Sequence, residues 1–111
     1  MHEFFIAEGI ADAVIERAHG RKPARINLAI GSFSSVVADS LMFYLELILE
    51  DRGLPGVEVT VKTVPAEATC ACGNRYPVSR FTEACPQCGG HDRKLEGGRE
   101  CIIESAEVED A

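Results

Sequence analysis

The segment from Cys70 to Gly89 constrains this chain more than any other, because it holds four of the five cysteines in two close pairs. The pairs read Cys70-Ala71-Cys72 and Cys85-Pro86-Gln87-Cys88, with residues 73–84 between them. Two short-range cysteine pairs on turns, joined by a loop of about this length, are typical of a tetrahedral four-thiolate metal site. The sequence therefore predicts one metal ion held by Cys70, Cys72, Cys85 and Cys88. The first pair is one residue shorter than the usual Cys-x-x-Cys, so its chelate should be tighter.

Two disulfides, or an iron ion in a rubredoxin-like site, would use the same four cysteines. Nothing in the sequence resembles a signal peptide, so we expect a cytoplasmic protein, in which disulfides are rare. We also see no iron–sulfur cluster motif and no aromatic-rich shell, which favours a closed, redox-silent zinc site. Zinc with four protein ligands stabilises structure and has no open position for chemistry, so the function must lie elsewhere.

Composition narrows the class of function. The net charge of −7 over 111 residues argues against a nucleic-acid partner, whose phosphates require a basic surface. No apolar run is long enough to cross a bilayer, so we expect no membrane partner. We find no paired nucleophile and base, and the predicted zinc site is closed, so we do not expect an enzyme.

Outside the cysteine segment, the apolar pattern predicts two helices and three strands. The first helix has apolar residues at every fourth position and ends with Gly20 as its C-cap. The second helix runs from Asp39 or Ser40, either of which can cap it, to Arg52. It is apolar on most sides, so we favour a central core helix over one that meets a partner.

Alternating apolar residues predict the strands. They lie at 24–31, from Val57 to Pro65, and at 99–109, the last with a bulge near Ser105. Cys101 on this last strand is expected to be a small core residue and not a fifth metal ligand. We predict an α+β fold in which a discontinuous domain, 1–68 plus 95–111, carries an inserted zinc-ribbon-like module at 69–94.

The amino terminus carries the remaining chemistry. Met1-His2-Glu3 presents a free amine, two backbone amides and an imidazole within three residues. Ni(II) favours planar nitrogen coordination, and these groups can form fused five- and six-membered chelate rings around it. On this chemistry alone the simpler interpretation is a solvated histidine near a chain end.

Several motifs together resemble the HypA/HybF family of nickel metallochaperones, which act in [NiFe]-hydrogenase maturation. They are Met1-His2-Glu3, Ile30-Gly31-x-x-Ser34, Asp39-Ser40-Leu41-x-Phe43, Val64-Pro65-Ala66, the two cysteine pairs and Gly98-Arg99-Glu100. The resemblance implies two helices against a three-stranded sheet and an inserted zinc domain. It also implies that nickel binds to the His2 side chain and to the backbone at His2 and Glu3. The chelate chemistry adds the terminal amine of Met1 as a further candidate ligand.

The resemblance further implies transferred Ni²⁺, structural Zn²⁺ on the four cysteines, a partner GTPase and delivery to the hydrogenase large subunit. The alternative is a zinc-ribbon protein-interaction module in which Met1-His2-Glu3 is incidental. Glu3 can also contact a partner through its carboxylate, and Asp39 can support the nickel site if it lies near His2. His91 is expected to be a solvated turn residue, although it could complete a nickel shell if the two domains come together.

Overall fold

The computed structural model describes residues 2–109, which form two helices and two small sheets. The elements are α1 (Glu3–Ala18), β1 (Pro23–Gly31), α2 (Ala38–Asp51), β2 (Glu58–Val64), β3 (Ala66–Cys70), β4 (Arg75–Val78), β5 (Arg93–Glu96) and β6 (Cys101–Val108). The first sheet has the order β2-β1-β6 and the second has the order β4-β3-β5. The predicted α+β class, with two helices, a three-stranded sheet and an inserted cysteine module, is confirmed.

The central strand β1 organises the first sheet. It pairs in parallel with β2, after the crossover through α2, and antiparallel with β6. Ile26, Leu28 and Ile30 alternate along β1 and all lie in the first core, which α1 and α2 cover. A strand with a paired neighbour on each side and a helix layer above it buries an alternating apolar face, as the period-two pattern predicted.

The bulge predicted in the last strand is present. The register of β6 against β1 shifts between the pairs Leu28–Ile103 and Asn27–Ser105, which leaves Glu104 as the extra residue. The Glu104 side chain instead accepts a hydrogen bond from the ammonium group of Lys62 at 3.2 Å. Cys101 lies on β6, partly buried against the first core, as expected for a packing residue.

The helix ends differ from the sequence predictions. The helix α2 begins at Ala38 with Val37 as its N-cap and no capping side chain of its own, so Asp39 and Ser40 are not the cap. The helix α1 ends at Ala18 with His19 as its C-cap (φ 50°), one position before the predicted Gly20. Gly20 follows at a positive φ of 85°, so the glycine lies directly after the cap and not at it.

The prediction that α2 is a central core helix was also wrong. Only Leu41, Leu45, Ile48 and Leu49 are buried along it. Phe43 and Leu47 point to solvent, with 61% and 51% of their surface exposed. One face of the helix is therefore buried and the other is exposed to solvent, although its sequence is apolar on most sides.

The two sheets meet at a junction of closely packed backbone. The Gly31 N–H donates to the Glu100 carbonyl at 2.7 Å, and the Phe33 N–H donates to the Gly98 carbonyl at 2.6 Å. A Cβ on Gly31 would lie 2.2 Å from the carbonyl carbon of Gly98, so only glycine fits there. The Phe33 ring then packs against Phe81 of the cysteine module, with ring centroids 4.5 Å apart.

The second sheet has its own small core. It buries Ala66, Ala68, Tyr76 and Val78 together with Cys70 and Cys85. The sheet runs from Ala66 to Glu96, a slightly wider span than the module boundaries of 69–94 given above. The division into domains remains a proposal.

Candidate metal centres

The four clustered cysteines lie at the ends of two tight turns. Cys70 ends β3, and its turn is closed by hydrogen bonds from the Gly73 N–H to the Cys70 carbonyl and from the Cys70 N–H to the Asn74 carbonyl. The second turn is closed by the Gly89 N–H, which donates to the Cys85 carbonyl at 2.8 Å. Both turns place a glycine at positive φ, Gly73 at 94° and Gly89 at 74°, where a side chain would be strained.

The sulfur geometry fits a tetrahedral ion. The Sγ atoms of Cys70 and Cys88 are 3.5 Å apart, and those of Cys72 and Cys85 are 3.8 Å apart. All four sulfurs lie within 4.8 Å of one another. Ligands about 2.3 Å from a tetrahedral zinc ion are separated by about 3.8 Å, so the cluster needs little adjustment to hold one. The sequence-predicted cysteines are thus brought together, including the shortened first pair.

The surroundings of Cys85 favour its thiolate. Burial raises its pKa, but the N–H groups of Cys88 and Gln87 and the amide of Asn74 face the sulfur and lower the pKa to about 6. The Asn74 side chain lies 3.6 Å from that sulfur, a contact that the spacing of the cysteines did not reveal. These dipoles would stabilise negative charge on the ligand whether or not a metal shares it.

Cys88 shows the opposite balance. The Gly90 N–H lies 3.4 Å from its sulfur and favours the thiolate, but the neighbouring Cys70 and Cys72 sulfurs outweigh this and raise the pKa to about 12. Four thiolates this close repel one another. The cluster therefore ionises fully only when a cation binds among the sulfurs, and metal binding must release protons.

The amino-terminal site is described from His2 onward, so the predicted ligand Met1 lies outside the described residues. The His2 side chain is 59% exposed, whereas that of Glu3 is only 4% exposed. The Glu3 Oε2 atom lies 3.5 Å from His2 Nε2 and 3.4 Å from the backbone N of Val37. The Glu3 carboxylate thus lies between the imidazole and the start of α2.

The burial of Glu3 is the feature of this site that sequence reasoning missed. An acidic residue near a chain end is normally solvated, and contact of its carboxylate with a partner was one of the alternatives that the sequence left open. Local patterns give no signal for it, because the partner is the backbone of a distant residue, Val37, which directly precedes α2. From the first turn of α1, the Glu3 carboxylate accepts a hydrogen bond from the Val37 N–H at 3.4 Å.

The remaining predicted residues lie apart from a common centre. Asp39 is exposed in the first turn of α2, and its placement puts it near the same helix start that Glu3 contacts. His91 is exposed in the cysteine module, where its Nε2 lies 3.3 Å from the Thr82 carbonyl. His19 is exposed at the end of α1.

Neither helix of residues 2–109 has the length and apolar content of a membrane span.

Comparison with known proteins assigns the chain to a family. Residues 1–108 match the family model described as "HypA: Hydrogenase/urease nickel incorporation, metallochaperone, hypA". The chain belongs to the HypA family. It is 36% identical over 114 residues to the hydrogenase maturation factor HypA of Dehalococcoides mccartyi, covering 99% of this chain and 96% of that one. It is 35% identical to the factor of the same name from Caldanaerobacter subterraneus, covering 98% and 100% of the two chains.

Solved HypA structures share the fold. The solution structure of the Ni metallochaperone HypA from Helicobacter pylori superposes with a TM-score of 0.64 at 18% identity, and covers 97% of each chain. A second solution structure of a HypA protein gives a TM-score of 0.66 at 18% identity. The HypA family is one of nickel-incorporating metallochaperones in hydrogenase maturation, and the four-cysteine cluster of this chain has the geometry to hold a metal ion.

Proposed function

We propose that this chain binds Ni(II) at its amino terminus and, together with a partner GTPase, delivers it to the large subunit of a [NiFe]-hydrogenase in the cytoplasm. Nickel is the cargo, and the four cysteines hold a structural zinc ion. Family membership supports the general role. The observation that carries the proposed nickel site is the buried Glu3 carboxylate, which lies against the exposed His2 imidazole.

The chelate is assigned from its ring sizes. The terminal amine of Met1 and the amide nitrogen of His2 close a five-membered ring, and the same amide with His2 Nδ1 closes a six-membered ring. Nε2 is left for Glu3, whose Oε2 lies 3.5 Å away. A metal-binding histidine usually donates its second ring N–H to a carboxylate, which fixes the tautomer and the orientation of the ring. Glu3 is placed for that role.

The helix start suits backbone ligation. The first amides of a helix lie outside the ladder of i-to-i−4 hydrogen bonds, so a metal bound to them does not break that ladder. His2 directly precedes α1, and its carbonyl already accepts from the Ile6 N–H at 3.1 Å. We propose that the Glu3 backbone nitrogen completes the set while the Glu3 carboxylate anchors this turn to Val37.

Nickel titration of protein with a native, untagged terminus tests the proposal. His2→Ala should abolish specific nickel binding but leave zinc content and fold intact, because His2 lies outside both cores. The matched control is His19→Ala, which removes another exposed histidine from the far end of α1 and should leave nickel binding unchanged. Binding should strengthen from about pH 6 to 8, since imidazole and amine bind only when deprotonated.

The terminus should matter as much as the side chain. One residue added before Met1 turns the amine into an amide and shifts the chelate frame, so binding should weaken even though His2 is kept. Nickel binding that is unchanged in His2→Ala would leave the zinc-ribbon interaction module as the better description.

A further inference from the structure

The outer faces of α1 and α2 expose a run of aromatic rings that begins two residues after His2. Ring centroids are 5.9 Å apart between Phe5 and Phe4, 5.6 Å between Phe4 and Tyr44, and 5.5 Å between Tyr44 and Phe43. Leu47 continues this surface and lines a groove with Phe4. We call these five side chains, Phe4, Phe5, Phe43, Tyr44 and Leu47, the aromatic patch.

The aromatic patch is large for a surface that stays in water. Phe5 is 70% exposed, Phe43 61% and Phe4 37%. At ~200 Å² for a whole aromatic side chain, these three rings alone expose roughly 350 Å². Contiguous apolar patches of a few hundred Å² on a single chain usually mark a binding surface. The area is close to half of what one partner contributes to a standard interface, so it can form the apolar centre of one.

The two helices that carry the aromatic patch are mainly acidic. The helix α1 carries four acidic residues and Arg17, and α2 carries four acidic residues and no basic one. Glu50 and Asp51 line the same groove as Phe4 and Leu47. Arg52, the base that directly follows α2, donates to Asp12 of α1 and is thereby neutralised. The rim of the patch is therefore acidic.

We propose that the aromatic patch is the docking surface for a partner protein segment whose apolar anchor side chains are flanked by Lys and Arg. The inference rests on the proposed function, because the patch adjoins the His2 site from which nickel must be passed on. Apolar anchors would cover Phe5 and Phe43, and the basic flanks would face Glu50 and Asp51. Charge complementarity of this kind speeds association and rejects acidic partners.

The same charge argues against two other occupants. In a symmetric dimer formed through the patch, the acidic rim of one copy would face the acidic rim of the other, and like charges across an interface are unfavourable. An anionic membrane surface would be repelled for the same reason. Both remain measurable outcomes of the experiment below.

A synthetic peptide tests the surface directly. The probe is a fluorescently labelled amphipathic helix of about 16 residues with Leu and Phe on one face and Lys and Arg on the other. The matched peptide keeps the apolar face and carries Glu in place of each base. We expect the basic peptide to bind by fluorescence anisotropy, and the acidic one to bind at least about tenfold more weakly.

Four variants, one of them a control, test whether the peptide binds at the aromatic patch. Phe5→Ser and Phe43→Ser each remove an exposed ring and should weaken binding at least about fivefold, as expected for central anchor positions. Ile102→Ser is the matched control, since Ile102 is 51% exposed but lies on β6, and it should change affinity less than twofold. Glu50→Lys should weaken binding of the basic peptide and reduce its salt dependence.

Several results would overturn the proposal. They are failure of the basic peptide to bind, equal binding of the acidic peptide, or an equal effect of Ile102→Ser and Phe43→Ser. A concentration-dependent dimer that Phe43→Ser converts to monomer would assign the patch to a second copy, and Phe43-dependent binding to anionic vesicles would assign it to lipid.

The outcome is separable from that of the nickel experiment. Phe5 and Phe43 supply no nitrogen ligand through their side chains, so these variants should bind nickel with unchanged stoichiometry. His2→Ala should leave peptide affinity unchanged while removing nickel. Loss of one property without the other therefore identifies which of the two inferences fails.

Discussion

Replacing Gly31 by alanine should separate the two sheets at their junction. A Cβ on Gly31 would lie 2.2 Å from both the carbonyl carbon and the oxygen of Gly98, and 2.6 Å from the Arg99 nitrogen. Ordinary carbon contacts are about 3.5 Å or longer, so the end of β1 and the Gly98 turn must move apart by more than 1 Å. All three atoms belong to backbone, which cannot rotate away as a side chain would.

The energy follows from what that movement breaks. The hydrogen bonds from Gly31 N–H to Glu100 and from Phe33 N–H to Gly98 span the same gap, at 2.7 and 2.6 Å. Each contributes roughly 0.5–1.5 kcal/mol, and overpacking adds roughly 1–3 kcal/mol. We expect Gly31→Ala to lower the free energy of unfolding by about 2–6 kcal/mol and the melting temperature by roughly 10–25 °C.

Thermal and urea denaturation followed by circular dichroism measure the loss. Gly9→Ala is the matched control, because a Cβ on Gly9 meets nothing within 4 Å and Gly9 lies within α1. That change should stabilise the protein by about 0.5–1 kcal/mol, the opposite sign to Gly31→Ala. Zinc content should be kept in both variants, because the cysteine turns lie beyond the junction. A Gly31→Ala protein as stable as the parent would refute the argument that this contact cannot relax.

Two further predictions concern the metal centres. Removing zinc with a chelator should disorder residues 66–96 but leave α1 and β1 folded, because the second core contains only small residues, Tyr76, Val78 and two of the ligands. Amide hydrogen exchange measures this loss of order. Protection retained throughout 66–96 in the zinc-free protein would contradict the prediction. Glu3→Gln should keep the contact to Val37 but weaken nickel binding by about 10–100-fold, because the carboxylate beside His2 Nε2 is lost. The zinc content should not change. Nickel affinity equal to the parent's would show that Glu3 does not orient the imidazole.

Repeating patterns explain why much of the fold was predictable. The alternation of Ile26, Leu28 and Ile30 defines β1, and the change of parity between Ile103 and Ala106 required the bulge that is seen at Glu104. The cysteine spacing likewise predicted four sulfurs within reach of one ion. In each case the signal is a short pattern, either the alternation along one strand or the close spacing of two cysteines on one turn.

The missed features depend on contacts between distant segments. The Glu3 carboxylate accepts a hydrogen bond from the N–H of Val37, thirty-four positions later and just before α2, and no local rule detects that contact. The exposure of Phe43 depends on which face of α2 packs against the core. Because the sequence of α2 is apolar on most sides, it does not indicate which face that is. The closeness of Gly31 and Gly98 is set by the path of the chain around the inserted module.

The pairing of β3 with β5 brings the entry and exit of the cysteine module together. Glu67 lies opposite Glu96, so only short links join the module to the ends of β2 and β6. With the module unfolded, β6 must close a loop spanning residues 65–100 to reach β1, at an entropic cost of about 3 kcal/mol. Folding of the module around zinc shortens that loop to a few residues and lowers the cost by on the order of 1–2 kcal/mol. The zinc ion, far along the chain from His2, thereby favours completion of the sheet beneath α1.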